Sequence, residues 1–216
     1  MGDTLSIQKL KEKEKEERRN YIIDAAEKLF FSKGYDNVSM KDIADEVGIS
    51  RAALYLYFKN KEVIYLAIVL RGMRIMDKLF KKSVKSDKDG IGKLEDTGWA
   101  YFEFYRDFAD YYNVCIYFDS QRFSKVDNEY MSEIRALMNE TVKITRESIE
   151  EGVKDGSIRA NVNSMEAAVF IAITAKQIVN PNEWATRSLE GEEISHEQFI
   201  EDSMDLWRRM LVNTKK

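Results

Sequence analysis

Cysteine, histidine and proline are almost missing from this sequence: Cys115, His196 and Pro181 are the only examples of each. A lone cysteine forms no intrachain disulfide, and a reducing interior is its simplest home. One cysteine and one histidine supply no zinc or other transition-metal site, so no metal and no cofactor is expected. A single proline leaves long stretches free to stay helical. No apolar run reaches the roughly 18 residues that a membrane-spanning helix needs. The first residues are rich in Lys and Glu with no apolar core, so no secretory signal is expected. Phosphate-binding loops, nucleophile elbows and carboxylates paired at a catalytic spacing are also missing, so an enzyme is not expected.

The composition that remains is 44% hydrophobic and 33% charged, which reads as a globular chain with a sizeable core. The net charge of −4 at first argues against a nucleic-acid partner. Its distribution weakens that objection only slightly, since residues 1–61 hold 12 Lys/Arg and 11 Asp/Glu. Locally the picture is clearer. Arg51 to Lys61 contains Arg51, Lys59 and Lys61 and no acid. Only nearby charges are felt through salt, so a small positive patch on an acidic body suffices.

That patch ends the most informative stretch, Ser39 to Lys61 (SMKDIADEVGISRAALYLYFKNK). Ile43, Ala44 and Val47 form one apolar helical face. Ser39 and Asp42 make a capping pair at its start. Gly48 stops the helix, because the residue after it needs a positive φ. Ser50 caps a second helix whose inward residues are Leu54 and Phe58. Ala44, then Gly48, then Leu54 is the spacing of a helix-turn-helix, whose second helix enters the major groove of DNA. The face left over carries Arg51, Ala52, Ala53, Tyr55 and Tyr57, followed by Lys61, with Ser39 and Lys41 at the start of the first helix. Arg51 suits a guanine edge, the tyrosines and lysines suit phosphates, and the alanines allow close approach. On spacing alone, an ordinary helical hairpin with a solvated basic end stays open.

The run VSMKDIADEVGISRAALYLYFKNKEVIY, Val38 to Tyr65, resembles the DNA-binding region of TetR-type transcriptional regulators. The preceding IIDAAEKLFFSKGYDNVS, Ile22 to Ser39, resembles that family's first helix. The likeness is specific over about Arg18 to Leu70. Within it, Leu56 stands where relatives often carry an aromatic, and Ala52 and Ala53 stand where they often carry Gly then Thr. The resemblance implies an all-α protein with an N-terminal three-helix module containing the helix-turn-helix. A long helix joins that module to a C-terminal helical bundle. The expected division is 1–60 for DNA binding, with 1–17 a charged extension, and 61–216 for ligand binding and dimerisation.

Elsewhere the pattern is helical throughout. The first helix is expected from about Glu17 to Ser32, and the long fourth helix from about Lys61 to Val84. Bundle helices follow from Ile91 onward. Asn163 with Glu166 caps a helix that runs to Val179, and Ser195 with Gln198 caps the last one. The aromatic and methionine content of Trp99 to Met138 suggests either plain core or an apolar ligand pocket. If a pocket, its expected residues are Trp99, Phe102, Tyr105, Cys115, Phe118, Met138 and Thr141, around a small apolar effector. The resemblance implies a homodimer through 164–179 and 196–212, acting on a double-stranded DNA operator in the cytoplasm, with no membrane partner. The leading expectation is a ligand-responsive repressor released by its effector. The alternative is an effector-independent DNA-binding organiser that senses protein partners or DNA sites, marked by a filled bundle core.

Overall fold

The computed structural model describes residues 2–118, 123 and 126–212, with residues 2–6 as backbone only. Among these the secondary structure is helical, in ten segments: α1 (Gly2–Lys33), α2 (Met40–Val47), α3 (Arg51–Tyr55), α4 (Lys61–Ser83), α5 (Gly90–Asp107), α6 (Ala109–Phe118), α7 (Glu129–Asp155), α8 (Ser164–Val179), α9 (Glu183–Gly191) and α10 (His196–Leu211). The all-α expectation holds. Two details differ from the sequence reading. The first helix begins far ahead of Glu17, so the charged extension over 1–17 is part of it from Gly2 on, with Lys13 pairing with Glu17 at 3.7 Å. The other is α9, a short segment between Pro181 and the last helix with no buried residue, which offered no apolar stripe to read.

The chain divides into two compact units, one built from Met1–Gly72 and Asp110–Ile134, the other from Met73–Ala109 and Arg135–Lys216. In the first unit, Ile22, Ala26 and Phe30 of α1 are buried along with Ile43 and Ala44 of α2, Leu54 of α3 and Phe58 just after it. Full burial of a side chain such as Leu54 stabilises by about 1.5–3 kcal/mol. Behind them Phe30, Tyr35, Tyr65, Tyr117 and Phe123 form a cluster of rings whose centroids lie 4.7–6.3 Å apart. The Tyr65 hydroxyl donates to the Val114 carbonyl at 3.1 Å, and Tyr117 donates to Asp36 at 2.8 Å. Through these bonds α6 is tied to α4 and the turn before α2, and the Tyr111 hydroxyl ties it to α1 by donating to Glu27 at 2.9 Å.

The second unit has a core of Ile91, Leu94, Ile149, Ile158, Ala168, Ile171 and Leu211, and a smaller cluster of Phe80, Ala100 and Ile144. Here α5 starts against α7 so closely that a Cβ on Gly90 would lie 2.0 Å from the backbone nitrogen of Gly152. Asp155, at the end of α7, accepts the Gly90 N–H at 2.8 Å and fixes this crossing. Two helices contribute to both units: α4 passes from one to the other after Gly72, and α7 after Ile134.

Candidate DNA-binding face and bundle cavity

The helix-turn-helix is capped at every end that the sequence marks. The Ser39 hydroxyl accepts the Asp42 N–H at 3.2 Å while the Asp42 carboxylate accepts the Ser39 N–H at 2.8 Å. The Ser39 hydroxyl also donates to the Asp42 carboxylate at 2.6 Å, and this bond first, then the one from the Ser39 N–H, holds the Asp42 carboxyl below its ordinary value. Gly48 sits at φ 74°, and Ser50 accepts the Ala53 N–H at 3.1 Å. With Leu54 and Phe58 turned inward, Arg51, Ala52 and Tyr55 are exposed, and Ala53 and Tyr57 are half-buried. Ser39 and Lys41 are also exposed, and the Lys41 ammonium pairs with Asp45 at 2.6 Å.

Lys61 is placed differently from the rest. Its Nζ donates to the carbonyls of Tyr35 and Val38 at 2.9 and 2.8 Å and lies 4.2 Å from the centre of the Tyr35 ring. It thereby ties the start of α4 to the turn that leads into α2. Arg19 makes the matching bond on the other side. Its guanidinium donates to the Tyr57 carbonyl at 2.8 Å and to the Tyr130 hydroxyl at 2.7 Å, and stacks 4.6 Å from the centre of the Phe58 ring. The end of the recognition segment is thus held by α1 and by the first turn of α7. Sequence reasoning passed over Arg19. It also left Leu56 off the exposed face, although its side chain is 78% exposed between the two tyrosines. The available signal was that Leu56 falls two residues from Leu54 and so off the buried stripe.

The second unit contains a cavity of about 150 Å³. Five helices build its wall: Met76 and Phe80 of α4, Leu94, Thr97, Gly98 and Tyr101 of α5, Thr141, Val142 and Thr145 of α7, Ile171, Ala172, Ala175 and Lys176 of α8, and Trp207 of α10. Of the seven pocket residues expected from the sequence, Thr141 lines this cavity. Trp99, Phe102 and Tyr105 follow one another as ring contacts along α5, at 6.0 and 6.1 Å, and Tyr105 also faces His196. Met138 is 41% exposed. Cys115 and Phe118 belong to the other unit, where Cys115 packs against Gly72 and Phe118 against Phe123. Burial pushes the Cys115 thiol up to about 12, so it stays protonated near neutral pH.

The remaining face of α8, with that of α10, is apolar and open. Ile173 is 63% exposed and Leu206 64%, and Phe170, Phe199 and Met210 line the same groove. Trp207 borders both this groove and the cavity. Among the described residues no cluster of His, Cys, Asp and Glu is arranged for a metal, and no helix is long and apolar enough to cross a membrane.

A helix-turn-helix module with Arg51 and Tyr55 on its exposed face, followed by a helical bundle with a cavity, is the build of a DNA-binding transcriptional regulator. The profile of the bacterial regulatory proteins of the tetR family matches residues 22–68. The chain is 33% identical over 161 residues to the transcriptional repressor KstR2 of Rhodococcus jostii (strain RHA1), covering 73% of this chain and 76% of that protein. It is 26% identical over 166 residues to the transcriptional activator FasR of Mycolicibacterium smegmatis (strain ATCC 700084 / mc(2)155), covering 74% of this chain and 70% of the relative. Its fold is similar to that of AibR solved in complex with isovaleryl coenzyme A and operator DNA, with a TM-score of 0.66 at 19% identity, over 88% of this chain and 97% of that one. The chain belongs to the TetR family of transcriptional regulators. These relatives and this fold are those of DNA-binding regulators, not of enzymes.

Proposed function

We propose that this regulator is a homodimeric, cytoplasmic repressor that leaves its operator when a small apolar effector enters the bundle cavity. The observation that carries the reading is the cavity itself, an apolar space of about 150 Å³ where a plain structural bundle would be filled. The repressor sense is supported by KstR2, a named repressor at 33% identity. That a protein of this fold takes a small-molecule ligand and operator DNA is supported by AibR, solved in complex with isovaleryl coenzyme A and operator DNA.

In this reading residues 1–60 bind DNA and residues 61–216 hold the effector and the dimer contact. Arg51, Ala52, Ala53, Tyr55 and Tyr57 meet the major groove and its flanking phosphates, with Ser39 and Lys41 gripping the backbone. Lys61 serves the same face by fixing the approach to α2 through Tyr35 and Val38. The dimer forms through 164–179 and 196–212, supported by the exposed Phe170, Ile173, Leu206 and Met210. One recognition helix per half-site, about 34 Å apart, then reads a two-fold operator.

Two continuous helices offer a route for release. α4 has Lys61 as its first residue and Met76 and Phe80 in the cavity wall. α7 has Tyr130 on Arg19 and Thr141, Val142 and Thr145 in the wall. An effector shifts the equilibrium only by binding the non-operator state better, and coupling of about 1–3 kcal/mol is typical. The test is to select an operator from random DNA and measure its affinity with and without a cavity ligand. Weakening on ligand addition, with the ligand weakened equally by operator, is the expected result. An affinity unmoved by any ligand that occupies the cavity rejects release and favours the effector-independent organiser.

A further inference from the structure

One residue of the recognition segment has no part in the DNA contacts proposed above. We infer that Leu56 reads the C5-methyl group of a thymine in the major groove, on the premise that the exposed face of α3 meets DNA there. Leu56 caps the C-terminus of α3 with helical angles, φ −70° and ψ −22°, so the helical course continues through it. Leu54 is fully buried, and two further residues, at about 100° each, bring the next side chain to the far side of the helix. Leu56 is accordingly 78% exposed, the most exposed large apolar side chain among the described residues. It follows Ala52 by four positions and lies one turn along the same face. A long side chain on a helix leans back over the turn before its own, which here carries Ala52. Ala52 is itself exposed and offers only a methyl group. The two form an apolar ridge, with the exposed Arg51 and Tyr55 along one side of it.

The chemistry of the ridge selects the base. Leucine has no donor and no acceptor, so it holds no phosphate and reads no base nitrogen or oxygen. The apolar feature that the major groove presents is the thymine C5-methyl group. A duplex seated on this ridge strips water from Leu56 whatever base lies opposite. Against an amino group or a carbonyl edge, the leucine removes water from a polar group and returns no hydrogen bond. Against thymine it buries a methyl group. Leu56 therefore favours one base and disfavours the others, and both effects add to specificity.

The experiment uses the full-length protein and an operator selected from random duplexes. Each thymine of the two half-sites is replaced in turn by deoxyuridine, which removes the methyl group and keeps the base pair. Affinities are measured for the parent protein and for Leu56→Ala. At one thymine of each half-site the parent should lose roughly fourfold, the worth of one buried methyl group. Leu56→Ala should bind the thymine operator more weakly than the parent and no longer distinguish thymine from deoxyuridine at that position. Its response at the other positions should match the parent's. Its thermal midpoint should also match, because the side chain lies outside the core. An operator selected without thymine, a parent indifferent to every replacement, or a Leu56→Ala protein that keeps the parent's full response overturns the assignment. A loss of the same factor on every sequence also overturns it, and makes Leu56 a contact to the sugar-phosphate backbone. In each of those cases, weakened operator binding by Arg51→Ala or Tyr55→Ala leaves the recognition face standing. If no sequence is enriched and no duplex is bound, the face and the assignment fall together.

Discussion

The two units treat their apolar residues in opposite ways. In the first, the side chains of Ile22, Ile43, Leu54, Phe58 and Ile64 are all at or below 1% exposure, and most of the outward residues on the helix-turn-helix are polar or small. In the second, Ile173 and Leu206 are more than 60% exposed, Phe170 and Met210 more than 40%, and a partly open cavity remains between the helices. A module that has closed its own core presents a fixed surface. A bundle with an open apolar face and a cavity leaves apolar surface that, in the function proposed above, a second copy and a ligand cover. In the proposed function, the difference separates the part of the chain that reads DNA from the part that changes state.

The largest effect expected from breaking that contrast is at Leu206. Leu206→Glu places a charge on the open face without touching the cavity wall, and an unpaired charge in a buried contact is costly. The protein should become a monomer at micromolar concentration by light scattering, and operator affinity should fall roughly 10²–10⁴-fold as the second recognition helix is lost. Ala172, in the cavity wall, is a poorer site for this test. A variant that stays dimeric would place the partner contact elsewhere.

Arg51 should come next. Arg51→Ala removes the one guanidinium on the exposed face of α3, at a cost of about 1–3 kcal/mol for the preferred operator and little for random DNA. The ratio of the two affinities is the measurement. Equal losses on both sequences would make Arg51 a phosphate contact instead of a base reader.

How much of this was legible in the sequence follows from how far apart the cooperating residues lie. Ser39 and Asp42, Gly48, Ser50 and Leu54 act over three to six positions, and local spacing is enough to read them. The cavity wall draws Phe80, Tyr101, Thr145, Lys176 and Trp207 from five helices. No periodicity along one helix says which of its faces meets which neighbour, so the aromatic richness of Trp99 to Met138 pointed to the right unit for Thr141 and to ring stacking along α5 for Trp99, Phe102 and Tyr105. Arg19 and Tyr130 lie 111 positions apart and belong to the same class of long-range contact. Spacing alone also leaves open where the ammonium of Lys61 ends. A lysine beside a recognition helix reads as a phosphate partner, whereas its ammonium here is hydrogen-bonded to two backbone carbonyls.

That placement of Lys61 makes a prediction of intermediate size. Lys61→Met gives up two charge-assisted bonds in a half-buried setting, so stability should fall by about 1–2 kcal/mol. DNA affinity should fall for every sequence, while the slope of log affinity against log salt stays as in the parent protein. A slope reduced by about one would instead count Lys61 among the phosphate contacts.

The smallest expected effect tests whether the first unit is as self-contained as its burial suggests. Ser39→Ala removes one side of the capping box, at a cost of about 1 kcal/mol. The partner carboxyl of Asp42 is held below its ordinary value of 3.8, first by the Ser39 hydroxyl and then by the Ser39 N–H. A carboxyl lowered on folding adds stability that is complete above its unfolded value and disappears as the pH falls through its folded value. The urea midpoints of the parent and Ser39→Ala should therefore differ at pH 7 and draw together as the pH falls below 3.8. The cap lies wholly within Ser39–Asp42, so the gap should also be the same in the Leu206→Glu monomer as in the dimer. A gap that closes on dissociation would mean that the module depends on its partner after all, and the contrast between a finished head and an unfinished bundle would have to be withdrawn.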